Sequence, residues 1–266
     1  MSLAARLLGL LLGLMLGGAS AVHAESEARW KTPDGLVDAF VELVLKSGYS
    51  TRANPVRKWT APIRYAIVHR VGDEQLHARL VEAHLMHLSQ ITGLAIEPAA
   101  APEQANYLVV LTREDQLEAD TLAHMGADTD GRREGFYRDS MCLASFRVGP
   151  GGAIRRAVAM IPVDRARGKG DLIGCVAEEL THMMGLANDT AMPLPTIFHH
   201  GTVRSFITGL DFLLLKMLYD PRVKPGMKEA ELRPILLQIA LELQRGHFVA
   251  VADRIAAQGG LAGLSP

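Results

Sequence analysis

The residue pattern predicts an α+β fold, with an N-terminal mixed sheet interleaved with helices and a helical C-terminal half. Three observations carry this. β-prone runs stand at residues 63–68, at 107–111 and on both sides of Gly149-Pro150-Gly151-Gly152. Beyond Thr208 the apolar residues recur only at helical spacing. Between these regions lies one amphipathic stretch, residues 174–189, which reads as a helix stopped by Gly185. The break between the two halves falls there, giving a segment 25–185 that ends with this helix and a mainly helical segment 186–266 packed on it as one unit.

In chain order, Thr32-Pro33-Asp34 opens a first helix, with Leu36, Phe40, Leu43 and Val44 on its apolar face and Gly48 as its stop. Residues 63–68 form the first strand after Pro62. Asp73 is the expected cap of a second helix, which carries Leu76, Leu80, Val81, Leu88 and Ile91 on one side and ends at Gly93. Residues 95–97 suit a short strand, and residues 107–111 suit a fully buried one. Residues 113–124 are polar and helical in pattern, and residues 126–135 read as a solvated loop. A glycine-rich turn between residues 142–148 and 154–163 predicts a hairpin, after which residues 165–170 link to the central helix. Thr208 and Asp211 resemble a capping box ahead of Leu210, Leu213, Leu214, Met217 and Leu218. Asp220-Pro221 ends that helix. Residues 229–245, with Pro234 in the first turns, and 249–257 complete the chain.

Residues 1–24 contain Arg6, an apolar run from Leu7 to Leu16 and a small-residue end at Val22-His23-Ala24, the pattern of a cleaved signal peptide. The run is shorter than the roughly 20 residues a membrane span needs. The expectation is an exported, periplasmic or secreted protein that is not integral to a membrane. With 28 basic and 29 acidic side chains and no basic stripe, nucleic acid is a poor partner. The chain has two cysteines, Cys142 and Cys175, which in an oxidising compartment predict one disulfide. Such a bridge is worth roughly 3–4 kcal/mol on chain-entropy grounds and would tether the central helix. Two buried free thiols are the alternative.

The central helix is one residue away from the zinc-protease pattern H-E-x-x-H-x-x-G. On a helical wheel Leu172, Val176, Leu180, Met183 and Met184 share one sector, and Glu178 and His182 stack four apart on the other side. In that pattern the residues at i and i+4 hold the metal, and the residue after the first ligand is the general base. His182 takes the second-ligand position and Glu179 the base position, while Glu178 stands where a histidine is usual. Carboxylate oxygen ligates zinc, so Glu178 is chemically admissible. The place of a third ligand falls on Asn188, a poor zinc donor. Asp189 next to it serves if the backbone turns by one more residue, and His199 and His200 are further candidates. Against this stands an ordinary Glu178–His182 helix pair worth about 0.2–0.5 kcal/mol on a solvated face. His77, His84 and His87 on the second helix offer a separate metal reading, but that helix's apolar face suits buried, hydrogen-bonded histidines better.

Cys175-x-x-Glu178-Glu179-Leu180-Thr181 followed by Gly185-Leu186-x-Asn188-Asp189 resembles the signature of the domain-of-unknown-function family numbered 2927. So do Ile197-Phe198 ahead of Thr208-x-x-Asp211, and the Tyr219-Asp220-Pro221 block within residues 218–227. The resemblance covers roughly residues 59–227. It implies an exported protein of Gram-negative bacteria whose helix and preceding sheet are similar to zincin metallopeptidases; it brings no assigned activity. Members often carry Gln where this chain has His182, and Asn-Asp where it has His199-His200.

Two functions follow as expectations. One is a zincin-like metallopeptidase or hydrolase of the cell envelope acting on a peptide or protein substrate. Glu179 is its base, and His182, Glu178 and Asp189 or His200 surround zinc. The other is a non-catalytic zincin-like scaffold or interaction protein of the periplasm. No G-x-S-x-G motif supports a serine hydrolase.

Overall fold

The computed structural model describes residues 29–46, 53–126, 138, 140–201 and 204–264. The signal-peptide reading, the expected helix stop at Gly48 and all but the first residue of the expected loop at 126–135 lie outside the described residues. The helices are α1 (Pro33–Phe40), α2 (Glu74–Thr92), α3 (Leu117–Met125), α4 (Val163–Gly168), α5 (Leu172–His182), α6 (Gly209–Leu218), α7 (Glu229–Arg245) and α8 (Phe248–Ala257). The strands are β1 (Ile63–His69), β2 (Ile96–Pro98), β3 (Tyr107–Thr112), β4 (Leu143–Val148) and β5 (Ile154–Pro162). The fold is thus a mixed α+β arrangement, as the pattern predicts.

The five strands form one sheet in the order β2-β1-β3-β5-β4. β2, β1, β3 and β5 run parallel, and β4 returns antiparallel to β5 along the edge as the glycine-rich hairpin requires. Every residue of β3 is buried, which a central strand covered on both faces demands. One face carries Tyr107, Val109, Leu111, Ala157, Ala159 and Ile161 into the main core. The other carries Leu108, Val110, Val158 and Met160 against Leu117 and Met125 of α3. The main core runs from Trp30 to Leu261, so the segments on either side of Gly185 share it. Among the described residues no single helix is long and apolar enough to cross a membrane.

Three local expectations are corrected. Asp73 occupies the cap position of α2 in a left-handed conformation (φ 61°) and makes no side-chain cap. Its carboxylate instead meets the Arg167 guanidinium at 2.7 Å. Leu76, placed by periodicity on the apolar face, is 46% exposed because the buried face of α2 runs through His77, Leu80, Val81, His84 and Leu88 and leaves it to one side. The expected linker at 165–170 is largely helical, as α4. α1 also continues into a π-helical turn, Val41–Leu45, closed by the Lys46 amide donating to the Val41 carbonyl at 3.1 Å. A π turn does not alter apolar periodicity enough to be read from sequence.

Lys58 ties the segment before β1 to the segment at and after the end of α6. Its buried ammonium donates to the carbonyls of Leu218, the last residue of α6, at 2.7 Å and of Val223 beyond it at 2.9 Å. Burial, then repulsion from Lys224, lowers its pKa to about 8.

Candidate metal centre

α5 forms because Leu172, Val176 and Leu180 bring one face onto the core, and Val176, Leu180, Met183 and Met184 are at most 1% exposed. A disulfide joins Cys175 in α5 to Cys142 just ahead of β4, with their Cα atoms 5.8 Å apart. The bridge anchors the helix beside the edge of the sheet.

The end of the helix is fixed by a complete set of hydrogen bonds. The last four carbonyls of an α-helix have no partners within it. Here the Glu179, Thr181 and His182 carbonyls accept from the amides of Met183, Met184 and Gly185. The Leu180 carbonyl accepts from the Tyr107 hydroxyl at 2.7 Å. Further along the turn, Trp59 Nε1 donates to the Met183 carbonyl at 2.9 Å and the Tyr219 hydroxyl to the Met184 carbonyl at 2.8 Å. Three aromatic donors from three different segments therefore staple the turn. Gly185 follows at φ 111°, and a Cβ there would lie 2.2 Å from the Arg57 carbonyl oxygen, so the stop admits only glycine.

The reversal at Gly185 brings the Leu186 carbonyl to His182, whose Nδ1 donates to it at 2.5 Å. Committing Nδ1 leaves Nε2 as the functional atom, the usual means of orienting a ligating imidazole. Nε2 lies 3.0 Å from Asp189 Oδ1 and 4.0 Å from Glu178 Oε1. One ligand-capable atom from each of Glu178, His182 and Asp189 falls within 4.8 Å of the others. The Phe198 ring closes the site against the imidazole, with centroids 4.4 Å apart. Glu178 and His182 are therefore no open pair on a solvated face: the His182 side chain is 13% exposed, and a third donor stands opposite.

Electrostatics follows from the crowding. Burial opposes the charged form of His182, but the carboxylates of Asp189, Glu179 and Glu178 outweigh it and push the pKa up to about 10. For Glu178, burial raises the pKa to about 7 against the pull of His182, with Asp189 adding to the rise. Glu179 is buried beside the group, and its charge acts on the imidazole.

Of the four expected ligands, the structure brings together Glu178, His182 and Asp189. His200 is exposed and is not a member of the group. Its backbone amide donates to the Thr190 carbonyl at 3.0 Å, while His199 Nδ1 accepts from the Gly201 amide at 3.0 Å. Asn188, at the position the protease pattern gives to a third ligand, is turned away to bond the Glu42 and Leu43 carbonyls. That turn presents the next side chain, Asp189. The α2 histidines are buried, with His77, His84 and His87 at most 4% exposed. Thr181 donates its hydroxyl proton to the Ala177 carbonyl at 2.6 Å and accepts from His84 Nε2 at 2.9 Å. Burial, then neighbouring His87, holds His84 down to about 3. Of these histidines, His84 buttresses α5 through Thr181, while His77 lies 3.1 Å from the Arg167 guanidinium of α4.

Residues beyond the sequence reading also shape the site. Trp59, Tyr107 and Tyr219 cap the turn, and Asp211 holds the loop that carries Phe198. Asp211 accepts from the Thr196 hydroxyl at 2.5 Å and the Ile197 amide at 3.2 Å, while completing the capping box of α6 with Thr208. The Tyr219-Asp220-Pro221 and Thr208-x-x-Asp211 blocks were the available signal for these roles.

Compared with known families, the chain matches the one described as "Protein of unknown function (DUF2927)" over residues 33–238. No curated protein matches it.

Proposed function

The chain belongs to the DUF2927 family, and we propose that it is a metal-dependent hydrolase of the cell envelope, with zinc held by Glu178, His182 and Asp189 and Glu179 as general base toward a peptide or protein substrate. One observation carries the reading: two carboxylates, Glu178 from the same helix and Asp189 from the turn after it, converge on a single imidazole nitrogen whose partner nitrogen is already committed to a carbonyl.

The residues fit the ion. Zinc accepts imidazole nitrogen and carboxylate oxygen at ~2.0–2.2 Å, which sets ligand atoms about 3–3.5 Å apart in a tetrahedral site. The observed separations of 3.0 and 4.0 Å bracket that spacing. Three protein donors leave a fourth position for water or substrate, the pattern of catalytic rather than structural zinc. When bound, such an ion polarises a carbonyl and lowers the pKa of water to about 7. The chain's own part is proton handling. Glu179, buried next to the triad, accepts a proton from the attacking water on its carboxylate and returns it to the departing amine. Phe198 keeps bulk water off one face of the imidazole. The zincin-like architecture that the family resemblance implies and the export that residues 1–24 imply support the same reading, as does the Cys142–Cys175 bridge.

The test is the metal content of tag-free protein lacking residues 1–24. About one equivalent of zinc is expected, lost in His182→Ala and Asp189→Asn. A metal-free wild type, or zinc retained by His182→Ala, would overturn the assignment.

The 3.0 Å contact between His182 and Asp189 also favours a second reading. That pair is self-satisfied without an ion, as a non-catalytic envelope scaffold would need. Stoichiometric metal decides against it.

A further inference from the structure

Asp189 reaches His182 because the residues on either side of it are gripped by a segment near the other end of the chain. The π-helical turn Val41–Leu45 follows α1, and carbonyls at the C-terminal end of a helix take partners from outside it. The Glu42 carbonyl accepts from Asn188 Nδ2 at 2.9 Å, and the Leu43 carbonyl from the Asn188 amide at 3.2 Å. The Glu42 side chain continues the grip: Oε1 accepts from the Thr190 hydroxyl at 2.8 Å, and Oε2 lies 2.7 Å from the Lys46 ammonium. Glu42, Asn188 and Thr190 are all buried, at 9%, 5% and 2% exposure. With Asn188 and Thr190 held on either side, the Asp189 side chain faces His182.

We propose that Glu42 and Thr190 are positioning residues for the metal centre, so that the π turn after α1 sets the affinity of a site whose ligands lie more than a hundred residues away (the Glu42–Asn188 contact spans 146 residues). This rests on the metal reading above. An α-helical continuation in place of the π turn would engage the Glu42 and Leu43 carbonyls within the helix and withdraw the acceptors that orient Asn188. Coupling is reciprocal, so an ion in the site also holds the turn against the loop. Outer partners of this kind tune metal affinity by about 10–100-fold when removed.

The test uses tag-free protein with Thr190→Val and Glu42→Ala to break the clamp, and Thr190→Ser and Glu42→Gln to restore its hydrogen bond. Two readouts are taken: Co2+ affinity by titration of its visible absorption, and, in metal-free protein, the downfield proton resonance of the His182 Nε2–H bonded to Asp189. That resonance is assigned by its loss in Asp189→Asn. The clamp predicts at least ~10-fold weaker Co2+ binding and a lost or broadened resonance in both breaking variants. Far-UV circular dichroism stays unchanged, and both restoring variants recover both signals. Wild-type Co2+ affinity and an intact resonance in Thr190→Val and Glu42→Ala overturn the clamp and leave the metal reading standing. If wild type itself binds no Co2+, the metal reading fails, and the resonance alone decides whether Glu42 and Thr190 position Asp189.

Discussion

The Tyr219 hydroxyl donates to the Met184 carbonyl at 2.8 Å, joining the end of α6 to the turn that closes the motif helix. The same oxygen accepts from the Trp59 amide at 3.3 Å, so one phenol ties three segments together. Removing it leaves a buried carbonyl without a donor. Tyr219→Phe is expected to lower stability by about 1–3 kcal/mol, the usual cost of a stranded buried acceptor. Urea unfolding of the tag-free protein measures this. A midpoint unchanged from wild type would show that solvent reaches the Met184 carbonyl.

Gly185→Ala meets two obstacles at once. The residue sits at φ 111°, and the added Cβ would lie 2.2 Å from the Arg57 carbonyl, a backbone atom that cannot rotate aside. Moving that segment drags Trp59 and its bond to Met183. The expected loss is at the upper end of single substitutions, about 3 kcal/mol or more, with reduced metal content in whatever folds. Gly151→Ala provides the contrast: it shares a positive φ of 76° but meets nothing within 4 Å, and should cost only about 1 kcal/mol.

Stability of the metal-free protein should fall on both sides of neutrality. His182 is raised to about 10 in the fold from about 6.5 in the unfolded chain. The folded state therefore holds the extra proton between those values. Its contribution is full below pH 6.5 and is lost as pH rises through about 10. His84 works in reverse. Its folded value of about 3 means that the unfolded chain binds more protons between about 3 and 6.5, so stability declines as pH drops through that window. Urea midpoints of EDTA-treated protein across pH 4–10 should trace this dome. Asp189→Asn should flatten the alkaline limb and leave the acid limb in place. An alkaline limb that persists in Asp189→Asn refutes the assignment.

Reduction of Cys142–Cys175 is expected to cost about 2–4 kcal/mol without dissolving the fold, since α5 keeps its apolar face in the core. Thermal melts with and without dithiothreitol measure it. Because the bridge holds α5 beside β4, metal retention should fall along with the melting temperature.

How far the sequence reached depended on the length scale of each interaction. The α+β order was legible because strands and helices announce themselves by period, as in the residues of β3 and the stripe Leu172, Val176 and Leu180. The Thr208–Asp211 box was legible because both members lie within one turn. Asp189 was a conditional choice: whether it or Asn188 faced His182 depended on a one-residue difference in the turn after Gly185. The contacts that settle this come from Glu42 and Leu43, far away in sequence and on a π turn that apolar spacing does not reveal. Asp73 shows the converse. A local capping rule was overruled by a distant guanidinium, Arg167. His200 was a candidate by residue type alone, and residue type carries no direction.

The stapled end of α5 has an electrostatic corollary. A helix terminates in roughly half a unit of negative charge, which a nearby lysine or arginine often offsets. The distant side chains that engage this end, Trp59, Tyr107 and Tyr219, are an indole and two phenols, donors that occupy the carbonyls while adding no positive charge. That residual negative field lies beside Glu178, Glu179 and Asp189, three carboxyl groups around one imidazole. Within that field the protonated His182, the last residue of α5, is the cation that offsets the helix end and the carboxylates around it.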